Sequence, residues 1–263
     1  MNLEELRNVP TELESKSFNP FVQIGSIDTP IVNEQFESVR TNCRYYKSPS
    51  VCKADYVTNY LNILHVNARS ILSDLKFEEF QLFINSSSEN WQILCVCESW
   101  LTDGAIQTRQ INGYTGYFKN RINKTGGGIA IYVSDEGISS STEIKIDTSI
   151  EALFVKCQLN QTQSIIVGEV YHPPSADTSL FINELEICLN KLNELNKTTF
   201  ICGDFNIDLF SLFHDENCQE FFNVMTSFGY LPTIFKTTRA SDTELSLIDN
   251  IFCNNLESLR KSG

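Results

Sequence analysis

A carboxylate and a carboxamide two residues apart, Asp204 and Asn206 in the run Gly203-Asp204-Phe205-Asn206, directly follow the apolar stretch Thr199-Phe200-Ile201-Cys202. Such a pair can orient a water molecule and accept its proton, as hydrolysis of a phosphodiester requires. Four other apolar runs also lead into a polar residue. Ile63 to Val66 ends at Asn67, Ile93 to Cys97 at Glu98, Ile165 to Val170 at Tyr171, and Leu247-Ile248 at Asp249. Carboxylate and amide oxygens suit a hard divalent cation, and amides and a phenol can hold phosphate oxygens. Singly, each residue has a plainer explanation. Asp204 and Asn206 could form an Asx turn, Asn67 could sit in a turn, and Glu98 could bind nearby backbone amides. Five such endings together point to strands whose ends converge on one mouth.

Those strands must be positioned by a scaffold. Short apolar runs at 63–66, 93–97, 128–133, 152–155, 164–168, 199–202 and 246–248 read as strands. Between Ser179 and Leu195, the residues Phe181, Leu185, Cys188, Leu192 and Leu195 recur at helical spacing. A second helix is expected over Glu216 to Phe228, ended by Gly229 in a left-handed cap, and a less regular third near Lys76 to Ile84. Residues 1–58 show no sustained period and carry Pro10, Pro20, Pro30 and Pro49, so they read as a poorly ordered leader or linker. A compact domain of α/β or α+β type is expected over 59–263.

Composition bounds the chemistry. The chain has 263 residues and is 41% hydrophobic, enough for a large core. No window is apolar enough to cross a bilayer, and the N-terminus carries no secretory pattern, so an intracellular location without a membrane partner is expected. The nine scattered cysteines lack paired metal knuckles and read as reduced core residues. The net charge is −13, and residues 59–263 hold 14 Lys and Arg against 25 Asp and Glu. A polyanionic substrate would therefore bind through a local cluster and bound cations, not through a broad basic field.

Six segments in order then resemble a known family. They are Asn67-Ala68-Arg69-Ser70, Cys97-Glu98-Ser99-Trp100-Leu101, Gly126-Gly127-Gly128-Ile129-Ala130-Ile131-Tyr132-Val133, Val170-Tyr171-His172-Pro173-Pro174, Gly203-Asp204-Phe205-Asn206 and Ser246-Leu247-Ile248-Asp249-Asn250-Ile251-Phe252. The series resembles the endonuclease domain of non-LTR retrotransposons, within the endonuclease/exonuclease/phosphatase superfamily and similar to apurinic endonucleases. The resemblance implies an α+β fold, a four-layer α/β/β/α sandwich of the DNase I-like type, and nicking of DNA with Mg²⁺, or Mn²⁺ in its place. It further implies that Glu98 and Asn67 hold the metal, that Asp204 deprotonates the attacking water, that Asn206 positions it, that Tyr171 contacts the phosphate, and that Asp249 completes the catalytic set. His172, Thr238 and Arg239 become DNA-contact candidates. A nuclear location and a downstream reverse transcriptase domain in a longer polyprotein are implied in the same way.

Two departures from the pattern shape the expectation. The family completes its site with a Ser-Asp-His segment about 20 or more residues after the block holding Asp249, and none follows Asp249 before Gly263. The domain is therefore expected to be incomplete at its C-terminus, lacking its last strand, with impaired activity and with Asp249 deprived of a histidine partner. Arg69 stands where apurinic endonucleases carry an acidic residue, which argues against a second metal. Two alternatives remain: an enzyme of the same fold acting on small phosphate esters or lipids, and an inactive retroelement remnant serving as an interaction surface.

Overall fold

The computed structural model describes residues 38–41, 43, 61–87, 90–121, 126–241, 244–259 and 262. The first sheet has the order β1-β2-β4-β3, formed by β1 (Ile63–Asn67), β2 (Ile93–Cys97), β4 (Ile129–Ser134) and β3 (Tyr114–Lys119). The second has the order β5-β6-β7-β8-β12-β9, formed by β5 (Ser140–Ile144), β6 (Glu151–Gln158), β7 (Ser164–Tyr171), β8 (Thr198–Asp204), β12 (Asp249–Cys253) and β9 (Leu231–Pro232). Pairs β1–β2 and β7–β8 are parallel, and the other ladders are antiparallel. A two-stranded ribbon, β10 (Arg239–Ala240) with β11 (Leu245–Ser246), stands apart.

The twofold alternation of side chains along a strand explains the layering. In β2, Ile93, Cys95 and Cys97 join the main core with Ile129, Ile131 and Val133 of β4. Leu94 and Val96, with Ala130 and Tyr132, face the other way and meet Phe77, Phe80 and Ile84 of helix α1 (Asp74–Ser86). The main core extends to Phe181, Leu185 and Leu192 of α2 (Thr178–Glu194) and to Phe221, Phe222 and Met225 of α3 (Glu216–Ser227). The result is two mixed sheets flanked by helices. A strand such as β2 must be apolar on both faces, which is why it reads as an unbroken run.

α1, α2 and α3 each begin on a side-chain cap. Ser73, Asp177 and Asp215 accept from the backbone N–H of Lys76, Leu180 and Cys218 respectively. Gly229 follows α3 at φ +79°, and its N–H donates to the Thr226 carbonyl, as the expected left-handed cap requires.

Besides the two-residue strands β9 and β10, the longer β3 and β5 are not legible as strands in the sequence. β3 is only partly buried along its length and β5 is a polar edge strand, so neither shows an apolar run. The expected strand at 246–248 is displaced: β11 stops at Ser246 and β12 starts at Asp249. The intervening N–H groups are taken by side chains, Leu247 donating to Asp208 Oδ1 at 2.8 Å and Ile248 to Thr238 Oγ1 at 3.1 Å.

Of the expected leader, only residues 38–41 and 43 fall within the described residues. Residues 38–41 are helical, Val39 and Cys43 are buried in the main core, and Cys43 forms a parallel bridge with Ser262. None of the eight described cysteines forms a disulfide and all are buried, as expected of reduced packing residues. No helix among the described residues is long and apolar enough to cross a membrane.

Candidate active site

The strand ends converge as the sequence suggests, and the Asn67 carboxamide ties them together. Its Nδ2 donates to Asp204 Oδ2 at 2.8 Å and lies 3.4 Å from Glu98 Oε1. Tyr171 donates its hydroxyl to the same Glu98 Oε1 at 2.8 Å, while Glu98 Oε2 accepts from Trp100 Nε1 at 3.1 Å. Side chains from the ends of β1, β2, β7 and β8 thus meet through hydrogen bonds. Asp249 joins because β12 runs antiparallel to β8 and starts where β8 ends, placing Asp249 opposite Asp204 in register.

Backbone strain marks the same rim. Glu98, Trp100 and Asn206 adopt φ of +50°, +57° and +47°, unusual for residues other than glycine. The loop after β2 is held there by Ser70 N–H donating to the Glu98 carbonyl at 2.7 Å and Trp100 N–H to the Gly127 carbonyl at 2.8 Å. The glycine triplet makes this approach feasible: Gly128 has φ +77°, and a Cβ there would lie 2.9 Å from Ser99 Oγ.

Electrostatics follow from burial and crowding. Asp204 is buried, and desolvation together with the neighbouring Asp249 charge pushes its carboxyl up to about 6, against the hydrogen bond from Asn67. Burial, reinforced by Glu98, also raises the Tyr171 phenol, so it remains a protonated donor. Arg121 lies with its guanidinium 5.7 Å from the centre of the Tyr171 ring and pairs with Glu151. Among the described residues no Lys or Arg is ion-paired with Glu98, Asp204 or Asp249. Glu98 and Asp204, two carboxylates without a basic side-chain partner among the described residues, offer hard oxygen donors of the kind that suits a divalent cation.

Several expected residues are placed differently from the expectation. His172 is buried, stacked on Phe181 with ring centres 4.4 Å apart, and its Nδ1 lies 2.9 Å from the Phe205 carbonyl oxygen. A ring turned into the core cannot lie against DNA, so His172 supports the loop from beneath. The Asn206 amide nitrogen is likewise engaged, donating to the His172 carbonyl at 2.8 Å. Thr238 Oγ1 accepts from the N–H groups of Ile248 and Asp249, so it fixes the entry to β12 while its side chain stays exposed. Arg239 is exposed on the ribbon.

The expectation that Asp249 has no histidine partner is corrected by the structure. His65 Nε2 lies 3.5 Å from Asp249 Oδ1, at ion-pair distance, and Nδ1 lies 3.2 Å from Glu169 Oε2. Burial acts to lower the His65 pKa, but Glu169, with Asp249 and Cys97, outweighs it and holds the imidazole well above its ordinary value. His65 and Glu169 went unremarked among candidate residues because each sits inside an apolar run. The signal was the alternation of side chains: His65 shares a strand face with Asn67, and Glu169 shares one with Tyr171.

This arrangement belongs to a class defined by two packed sheets with an acidic, amide-rich rim at one end. The chain matches the Endonuclease/Exonuclease/phosphatase family over residues 46–263 and belongs to it. Solved structures share the fold at low identity. The AP endonuclease LMAP from Leishmania major is 13% identical, with 86% of this chain and 91% of that one covered and a TM-score of 0.61. The endonuclease domain of TRAS1, a telomere-specific non-LTR retrotransposon, is 13% identical over 73% of this chain and 84% of that one, with a TM-score of 0.53. The human Nocturnin catalytic domain is 13% identical over 74% and 82%, also with a TM-score of 0.53.

Proposed function

We propose that this chain is a divalent-cation-dependent phosphodiesterase that nicks DNA, of the kind carried by non-LTR retrotransposons. The observation that carries the reading is the Asn67 carboxamide lying between Glu98 and Asp204, which brings two distant carboxylates to one rim. Glu98 and Asn67 would hold Mg²⁺, with Mn²⁺ as a substitute. Bound there, the cation would polarise the scissile phosphate and stabilise charge on the leaving oxygen. Asp204, with proton affinity near neutrality, accepts the proton of the attacking water. Asn206 retains its amide oxygen to orient that water, since its nitrogen is occupied by the His172 carbonyl. The Tyr171 hydroxyl, which donates to Glu98 Oε1, would turn to a phosphate oxygen once a cation engages that carboxylate, and Asp249 raises the basicity of Asp204 across the β8–β12 ladder. Thr238 and Arg239 lie near the start of β12, where a DNA backbone could be contacted.

The net charge of −13 favours a second reading, hydrolysis of a small phosphate ester, because such a substrate needs no extended basic surface. Supercoiled plasmid and inositol phosphates, each offered with Mg²⁺, separate the two. The nuclease reading expects nicking that is abolished by chelation and by Glu98→Ala. Nicking unaffected by that substitution overturns the metal assignment, and turnover of inositol phosphates alone overturns the choice of DNA.

A further inference from the structure

Deeper than the rim, between the sheets, lies a second group of ligand-type side chains that the proposed hydrolysis does not use. In the first sheet His65 and Cys95 are paired in register on β1 and β2, with Cys97 two residues further along β2. In the second sheet Glu169 and Cys202 are paired in register on β7 and β8. The ligand atoms of Cys95, Glu169 and Cys202 all lie within 4.8 Å of one another, as do those of His65, Cys97 and Glu169. Glu169 therefore belongs to both trios.

A separate observation concerns Glu169 itself. The residue is fully buried, and its Oε1 has no partner of hydrogen-bond geometry, while Oε2 faces His65. A buried carboxylate oxygen without a partner carries a desolvation cost that hydrogen bonds or a cation would offset. His65 meets one of the two oxygens, and the Cys95 thiol offers the carboxylate only a weak donor.

We propose that this inter-sheet cluster is a structural site for a thiophilic divalent ion, Zn²⁺ in chemical type, held by Cys95, Glu169 and Cys202 with a fourth donor from the His65–Cys97 pair. Thiolate, imidazole and carboxylate are the ligands zinc takes, and a closed four-donor shell is the structural form of such a site. With zinc–ligand bonds of about 2.0–2.3 Å, tetrahedral donors stand roughly 3.3–3.8 Å apart, so modest rotamer changes would close the present spacing. The donors come from β2, β7 and β8, joined by β1 where His65 is the fourth, and from both sheets, so the ion would cross-link the two layers beneath the rim. The selectivity differs from that of the rim, where oxygen donors suit Mg²⁺. The inference does not rest on the phosphodiesterase reading.

The test is metal content and spectroscopy on the full chain. Protein produced with zinc in the medium and dialysed against Mg²⁺ is expected to retain an equimolar amount of zinc by elemental analysis. Cys202→Ser and Cys95→Ser should release it, whereas Cys188→Ser, in α2, should not. Cobalt loading should give a thiolate-to-cobalt charge-transfer band with the intense visible bands of a tetrahedral centre. Should the cysteine variants fail to fold, the unaltered chain is stripped by a chelator in denaturant and refolded with either ion. Zinc is then expected to raise Tm above that obtained with Mg²⁺. Folded protein that excludes zinc, gives no cobalt–thiolate band and has the same Tm with either ion would overturn the site and leave the thiols as packing groups.

Discussion

Asp204 combines two properties that usually conflict: it is buried, and it sits across a ladder from another carboxylate. The folded state disfavours its ionised form, the form a proton acceptor needs. Asp204→Asn is therefore expected to lower nicking by about 10²–10⁴-fold, the usual contribution of a positioned acid–base group. The same substitution should leave Tm in the presence of a chelator unchanged or higher, because one of two mutually repelling negative charges is gone; a large fall in Tm would show that Asp204 is chiefly structural. His172 gives the pH dependence. Burial lowers its folded pKa below the unfolded value, so its contribution is intact above about 6.5 and is lost as pH falls toward the folded value. Replacing it with Phe should cost about 1 kcal/mol at pH 8 through the lost hydrogen bond to Phe205. Urea titrations at pH 8 and pH 5 should then show a smaller acid-induced loss in His172→Phe than in the unaltered chain.

The strands place the chemistry by where and in which direction they end. β1, β2, β7 and β8 run out at the rim, while β12 enters from it, so Asp249 reaches the site as a first residue and not a last one. The parallel pairing of β7 with β8 is tight at Gly203, where a Cβ would come within 2.2 Å of the Val170 carbonyl oxygen. Gly203→Ala is expected to destabilise the fold by about 1–3 kcal/mol, the range for overpacking a close contact. It should also move the neighbouring Asp204 and depress nicking. Denaturant midpoints combined with plasmid assays at low temperature would separate the two effects; an alanine variant of unaltered stability would mean that the strands can part at this point without cost.

For the molecule taken together, charge and the first described segment matter most. An acidic protein acting on DNA must bind through few phosphate contacts, so the apparent KM for plasmid should rise with salt on a log–log slope below about 4 in magnitude. A slope near ten would indicate an extensive basic surface. Val39 and Cys43 are built into the main core, and Cys43 pairs with Ser262. Deleting residues 1–58 is expected to lower stability by roughly 2–4 kcal/mol, as for removal of buried apolar side chains. An unchanged unfolding midpoint would show that the domain core is complete without them.

Apolar runs buried on both faces, and the polar residues that follow them, are local patterns. For that reason β2, β7, β8, α2 and α3 and the residues Asn67, Glu98, Tyr171 and Asp204 could be read directly from the chain. β3 and β5 could not, since a half-exposed or edge strand needs no apolar run, and its pairing depends on a neighbour distant in sequence. Nor could the inward turn of His172, or the meeting of His65 with Glu169 and Asp249, which lie 104 and 184 positions further along. Alternation along a strand assigns such side chains to a face. Only the packing of one sheet against the other, set by long-range register, determines which groups on the two facing surfaces touch.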